Sequence, residues 1–243
     1  MPASPRLETR PPRPPVRIRA DLPPSAAEAG APIPQERVWK RPLDIAVAGL
    51  LLLVSLALWT IVALLIKLTS PGPVFYVQTA VGRGGRPFRF YKFRSMRAGA
   101  ANAAHRRYIA RFVCSVDGDG IGGPAGLYKM EKDARVTAVG RCLRRTSLDE
   151  LPQLLNVLKG DMSLVGPRPP LPYEFELYDD WARGRLAVRP GITGLYQVTR
   201  RSRASFREMV TIDLQYIERR SLWLDLSIMV RTLPAMLVGR GAR

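Results

Sequence analysis

Histidine is nearly absent from this chain: one of its 243 residues, His105, carries an imidazole. It stands beside Arg106 and Arg107 and reads as a surface residue rather than a general base. Cysteine is almost as scarce. Cys114 and Cys142 make neither a metal-ligand spacing nor a disulfide framework, so a reducing compartment is expected. Large apolar residues are sparse in residues 1–36, where Pro, Ala and Arg dominate. That stretch is expected to be disordered, and without an apolar core in its first 30 residues it is no signal peptide. Acids are missing altogether from residues 68–116, and no internal repeat is present. What remains is long enough for a sizeable core and strongly basic, with a formal net charge of +18.

Charge of either sign is missing from residues 45–66, which read IAVAGLLLLVSLALWTIVALLI. A helix of that length matches a bilayer core of about 30 Å. No polar face is visible in the run, as a buried core helix would normally have, so membrane insertion is predicted. Both flanks are basic: Arg37, Lys40 and Arg41 before it, Lys67, Arg83, Arg86, Arg89, Lys92, Arg94 and Arg97 after it. The positive-inside rule wants both flanks in the cytoplasm, which a straight span cannot satisfy and a re-entrant helix can. Gly49 and Ser55 are candidate bend sites. The alternative is an ordinary span with one basic flank unfavourably placed.

Ser70-Pro71-Gly72-Pro73 predicts a turn that ends the helix. Residues 74–81 and 88–93 predict two short strands joined by a Gly-rich turn. Lys92 and Arg94 then stand close to the membrane exit, where they suit anionic lipid headgroups or a phosphate equally well. Residues 98–113 predict a helix. The loop at 117–123 alternates acids as a calcium loop does but lacks the closing glutamate.

The most informative segment is Arg144-Arg145-Thr146-Ser147-Leu148-Asp149-Glu150-Leu151-Pro152-Gln153. Ser147 predicts a helix N-cap, residues 151–159 the helix body and Gly160 its stop. Both acids then fall in the first turn, where the helix dipole favours ionised carboxylates. An ionised aspartate can be a nucleophile, paired acids can hold magnesium, and arginines bind phosphate oxygens. Read alone, Ser147 and Glu150 also fit a capping box with a purely structural role. Asp149 is not needed for that box, and Pro152 sits awkwardly in it.

Further on, three prolines stiffen the backbone around Arg168 in Gly166-Pro167-Arg168-Pro169-Pro170, a presentation suited to bidentate phosphate binding. Arg189-Pro190-Gly191-Ile192-Thr193-Gly194 reads as another turn-rich loop. Ser205 and Glu208 form a second capping box, followed by Phe206, Met209, Val210, Leu214 and Ile217 on one helical face. Residues 222–233 are mostly apolar and read as core, with the membrane interface as the alternative and Trp223 at headgroup level.

Together these segments resemble the bacterial sugar transferases of the monotopic polyprenyl-phosphate phosphoglycosyl transferase superfamily. The resemblance rests on Lys40-Arg41-Pro42-Leu43-Asp44, Ser70-Pro71-Gly72-Pro73-Val74-Phe75, Tyr91-Lys92-Phe93-Arg94-Ser95-Met96 and Asp133-Ala134-Arg135-Val136-Thr137. It continues through residues 146–153, 156–169 and 189–194, and runs from Arg37 to the C-terminus. It implies an α+β, mostly helical membrane-associated domain with a small β-hairpin and one N-terminal membrane-inserted, re-entrant helix. Residues 1–36 would be a tail, 37–70 the membrane helix and 71–243 the cytoplasmic catalytic domain. The implied reaction moves a sugar-1-phosphate from a UDP-sugar to undecaprenyl phosphate, releases UMP and requires Mg2+. The match makes Asp149 the nucleophile that forms a phosphosugar-aspartyl intermediate. Glu150 would assist the metal, which both acids would hold, or the second half-reaction. Arg144, Arg168 and Lys92 would contact phosphates. A carboxylate nucleophile is already ionised at neutral pH and needs no partner base, in keeping with one histidine.

The pattern from Gly194 to Leu226 looks most like members that start exopolysaccharide or O-antigen synthesis, and the chain resembles the minimal catalytic form. Partners would be the UDP-sugar, undecaprenyl phosphate and anionic lipids of the bacterial inner membrane. Nucleic acid is not expected, because binding it gives no reason for an acidic pair beside Arg144 or for a stiff Arg168 loop. Two departures stand out. Family members commonly break the re-entrant helix at Ser-Pro, whereas Ser55 precedes Leu56; and Thr199-Arg200-Arg201 replaces a frequent Ser-Gly-Arg. Neither the sugar nor the oligomeric state follows from the sequence.

Overall fold

The computed structural model describes residues 37–97, 103–114, 135–200 and 205–238. The tail, the 117–123 loop and Asp133 with Ala134 lie outside the described residues. Helix α1 (Lys40–Thr69) follows from a Leu- and Ala-rich run whose one proline, Pro42, sits in the first turn, where a missing N–H forfeits nothing. Its 30 residues reach about 45 Å. Ser70 ends it as predicted, with extended backbone and an amide bonded to Ile66 O at 3.1 Å. The helix continues unbroken through Gly49 and Ser55, whose hydroxyl donates to Leu52 O.

The uncharged run shows no polar face, as read, yet its apolar sides are used differently. Lys40, Asp44 and Ala48 at one end and Val62 and Ile66 at the other are buried, with Leu52, Leu58 and Trp59 partly so between them. One face therefore lies along the folded body, while Leu53, Val54, Leu64 and Leu68 point away, each more than half exposed. The polar anchors precede the uncharged run. Lys40 pairs with Asp225, Asp44 accepts from Ser163 Oγ and Leu164 N at 3.0 Å, and Arg41 donates to Leu158 O at 2.8 Å. At the far end Arg94 donates to the carbonyls of Ser70 (2.6 Å) and Pro71 (2.8 Å), a cation at a helix C-terminus.

Strands β1 (Phe75–Val81) and β2 (Pro87–Phe93) form the predicted hairpin, in register from Phe75 opposite Phe93 to Val81 opposite Pro87. Gly84 and Gly85 supply the left-handed backbone of the turn. Helix α2 (Ala103–Cys114) carries His105 and matches the described part of the predicted helix. Helix α3 (Ala138–Thr146) was not anticipated; α4 (Gln153–Lys159) ends at the expected Gly160, φ 92°. Strand β3 (Ser163–Val165), short helices α5 (Pro172–Phe175) and α6 (Asp180–Arg183), strand β4 (Gly191–Thr193) and helix α7 (Leu195–Thr199) follow. β3 pairs in parallel with β4, a ladder hidden in segments that read as loops. It requires glycine: a Cβ on Gly191 would lie 2.1 Å from Gly166 N.

Helix α8 (Phe206–Arg219) starts at Ser205, whose Oγ accepts from Glu208 N at 3.2 Å. The box stays half closed, since the Glu208 carboxylate pairs with Arg200. In α9 (Leu222–Val238) the core reading holds for one face. Ile228 is buried in the core, while Trp223 is 78% exposed. The central cluster gathers Phe90, Leu154, Val157, Met162 and Tyr216 under α1. Each such side chain contributes about 1.5–3 kcal/mol on burial.

Candidate active site

The acidic pair is placed by the way α3 stops. Thr137 starts this helix, its Oγ1 accepting from Gly140 N at 2.9 Å. Gly140 then passes so close to the chain after β2 that a Cβ there would sit 2.0 Å from Ser95 O. Thr137 N donates to the same carbonyl at 3.1 Å, and Arg144 Nε donates to Ser95 Oγ at 3.0 Å. Helix α3 is thereby fastened to the end of the hairpin.

The predicted N-cap at Ser147 is not formed. Ser147 closes α3 instead, with φ 57°, the sole non-glycine residue in the left-handed region among the described residues. Leu148, Asp149 and Glu150 make a single 3-10 turn, and α4 begins only after Pro152. Pro152 therefore stands at the N-cap of α4, φ −61°, where a proline ring is compatible with the helix to come. The capping box is absent for the same reason: the Glu150 side chain turns away from Ser147 toward two cations. Its Oε1 accepts from Lys92 Nζ at 3.1 Å and from Arg168 Nη1 at 3.2 Å. Asp149 beside it is 7% exposed.

Four segments far apart in sequence thus meet here. Of the predicted site residues, Lys92, Glu150 and Arg168 join directly, Asp149 adjoins them through the backbone, and Arg144 reaches Ser95. Lys92 and Arg94 part company at the end of β2, one facing Glu150 and the other holding the end of α1.

Several residues that build the site carry only a faint signal in the sequence. Buried Arg185 donates to Asp213 Oδ2 through Nε and Nη2, both at 2.7 Å, and to Tyr178 OH at 3.0 Å. Its Nη2 also donates to Arg168 O at 3.4 Å, steadying the backbone that presents Arg168. Burial pushes the Asp213 carboxyl above its ordinary range, with the Arg185 guanidinium pulling it back. An acid on the inward face of α8, between Val210 and Tyr216, was the clue. Asn156, fully buried, donates to Arg89 O (2.6 Å) and accepts from Tyr91 N (3.2 Å), binding α4 to β2.

Such an arrangement can bring a buried carboxylate to an anionic group whose charge is offset by neighbouring cations. Residues 35–239 match the family described as bacterial sugar transferase. The chain is 42% identical over 207 residues to the galactosyl transferase CpsE of Streptococcus agalactiae, covering 84% of this chain but 43% of that one. It is 38% identical over 215 residues to the exopolysaccharide production protein ExoY of Rhizobium meliloti, covering 88% and 92%. To the UDP-glucose:undecaprenyl-phosphate glucose-1-phosphate transferase of Caulobacter vibrioides it is 40% identical over 222 residues, covering 86% and 74%. This chain belongs to the bacterial sugar transferase family and is a transferase.

Proposed function

We propose that this protein transfers a sugar-1-phosphate from a UDP-sugar to undecaprenyl phosphate and releases UMP, as the first membrane step of exopolysaccharide, O-antigen or related glycan synthesis. The observation that carries this reading is the buried Asp149 carboxylate next to Glu150, whose own charge is met by Lys92 and Arg168. The Caulobacter relative is named for a reaction of this kind, with glucose as its sugar.

An Asp149 oxygen attacks the β-phosphorus of the donor. The bond from that phosphorus to the bridging oxygen breaks, and its electron pair leaves with UMP. A phosphate oxygen of undecaprenyl phosphate then attacks the same phosphorus, and the aspartyl oxygen departs as a carboxylate. Two like charges about 4 Å apart cost roughly 4 kcal/mol at an effective dielectric of 20. Lys92, Arg168 and Arg144 serve to offset that cost in both steps.

Mg2+ suits this donor set, because two adjacent carboxylates provide the one or two protein oxygens that magnesium takes beside phosphates and water. Asp149 and Glu150 would hold it together with the donor diphosphate. When bound it would neutralise charge on the phosphate oxygens. Among the described residues no cluster of three His, Cys, Asp or Glu occurs.

Helix α1 enters the cytoplasmic leaflet of the bacterial inner membrane, and both its ends stay on the cytoplasmic face. Support comes from the burial of Lys40 and Asp44 at one end and Ile66 at the other against one folded body, and from exposed Arg37, Lys67, Arg86 and Arg97, which suit anionic headgroups. The test is Asp149→Asn: UMP release falls by at least about 10³-fold with the fold retained. Wild type quenched with labelled donor and no acceptor carries label on Asp149. Near-normal turnover of the variant overturns the assignment.

A further inference from the structure

A cavity of about 230 Å³ opens between β1 and the start of α5. Tyr76, Gln78, Arg106, Leu171, Tyr173 and Glu176 are among its lining residues. We propose that this cavity is the nucleoside subsite of the donor, taking uracil and ribose while the diphosphate lies outside it at Lys92 and Arg168. The inference rests on the UDP-sugar reading above.

Position is the first argument. Tyr76 lies directly across the hairpin from Lys92, so their side chains share a face with Cβ atoms about 5 Å apart. On the opposite wall Leu171 follows Arg168 by three residues. Each wall therefore begins beside a cation bonded to Glu150. Gln78 stands two residues beyond Tyr76, about 7 Å further along the strand, which leaves room for a ribose between phosphate and base.

Chemistry is the second. Glu176 opposes an anion in the cavity but can accept from ribose hydroxyls, as acids do in dinucleotide sites. The Gln78 amide donates and accepts in one plane, matching the carbonyl and N–H of the uracil imide edge. Tyr76, 43% exposed, and Tyr173 offer ring faces for stacking, and the Arg106 guanidinium lies 5.1 Å over the Tyr173 ring. The volume is below the roughly 300–1,000 Å³ of clefts that enclose whole drug-sized ligands, so the cavity admits part of the donor.

The experiment measures inhibition of sugar-phosphate transfer by UMP, dUMP and pyrophosphate, with KM for undecaprenyl phosphate, using the full chain in nanodiscs. Gln78→Ala raises the inhibition constant of UMP about tenfold, the value of one or two neutral hydrogen bonds. Glu176→Gln, nearly isosteric, removes the preference for UMP over dUMP. Pyrophosphate inhibition and acceptor KM stay unchanged in both. Wild-type UMP inhibition in both variants overturns the proposal, as does a shift in acceptor KM alone, which would assign the cavity to the polyprenyl phosphate. If the wild type forms no labelled adduct from any UDP-sugar, the donor reading itself fails; an active wild type with insensitive variants sinks only the subsite.

Discussion

Removing the guanidinium of Arg185 separates stability from site assembly. In Arg185→Met the Asp213 carboxylate, 2% exposed, loses both 2.7 Å donors and stays buried as an uncompensated charge. Breaking a buried pair from one side costs about 3–5 kcal/mol. At about 2–4 °C per kcal/mol for a chain of this size, the melting temperature falls by on the order of 10 °C. The penalty depends on pH with a definite sign. Burial already raises the Asp213 pKa, and without Arg185 it rises further. Folded Asp213 then keeps a proton that the unfolded chain has released above about pH 3.9, so stability increases as pH falls through the folded pKa. The gap between variant and wild type should narrow toward acid pH, by at most about 1.4 kcal/mol per pH unit. Thermal unfolding in detergent at pH 5, 6.5 and 8 reads this directly. Arg185→Met/Asp213→Leu, which removes both charges, should recover most of the stability and little of the turnover, because Arg168 O still lacks its donor. A single-variant penalty that is the same at pH 5 and pH 8 would refute the reasoning.

Gly140→Ala places a methyl 2.0 Å from Ser95 O, so α3 must shift; stability should drop by about 1–3 kcal/mol and turnover with it, checked by unfolding and UMP release together. Chelation of Mg2+ should stop transfer without lowering the melting temperature by more than about 1 °C, since the proposed metal shares its shell with substrate; a large loss of stability would indicate a structural ion. Tags at both ends should be protected from external protease in intact cells, while selective loss of one tag would establish a full span.

How much could be read beforehand differs from element to element. The hairpin emerged within a residue at each end, because alternation and a Gly-rich turn are properties of neighbouring residues. The stop of α1 at Ser70 is equally local, while its start at Lys40 precedes the uncharged run by five residues. The departure at Leu56 also has a local counterpart, since the helix is unbroken there. By contrast β3 and β4 are three residues each, too short to show a period, and only their mutual approach makes them strands.

The acidic pair, its arginines and the apolar run were present in the chain itself, since composition and order need no third dimension. Folding decided their use. Glu150 chose between a local capping bond to Ser147 and cations 58 and 18 residues away, and the distant partners won once α3 ended left-handed at Ser147. Likewise Lys40 and Asp44 turned one face of an otherwise uniform helix toward Asp225 and Ser163. Local propensity acts between neighbours, whereas charge pairing and burial act through space, and only packing brings residues 40, 92, 149, 168 and 213 into one body.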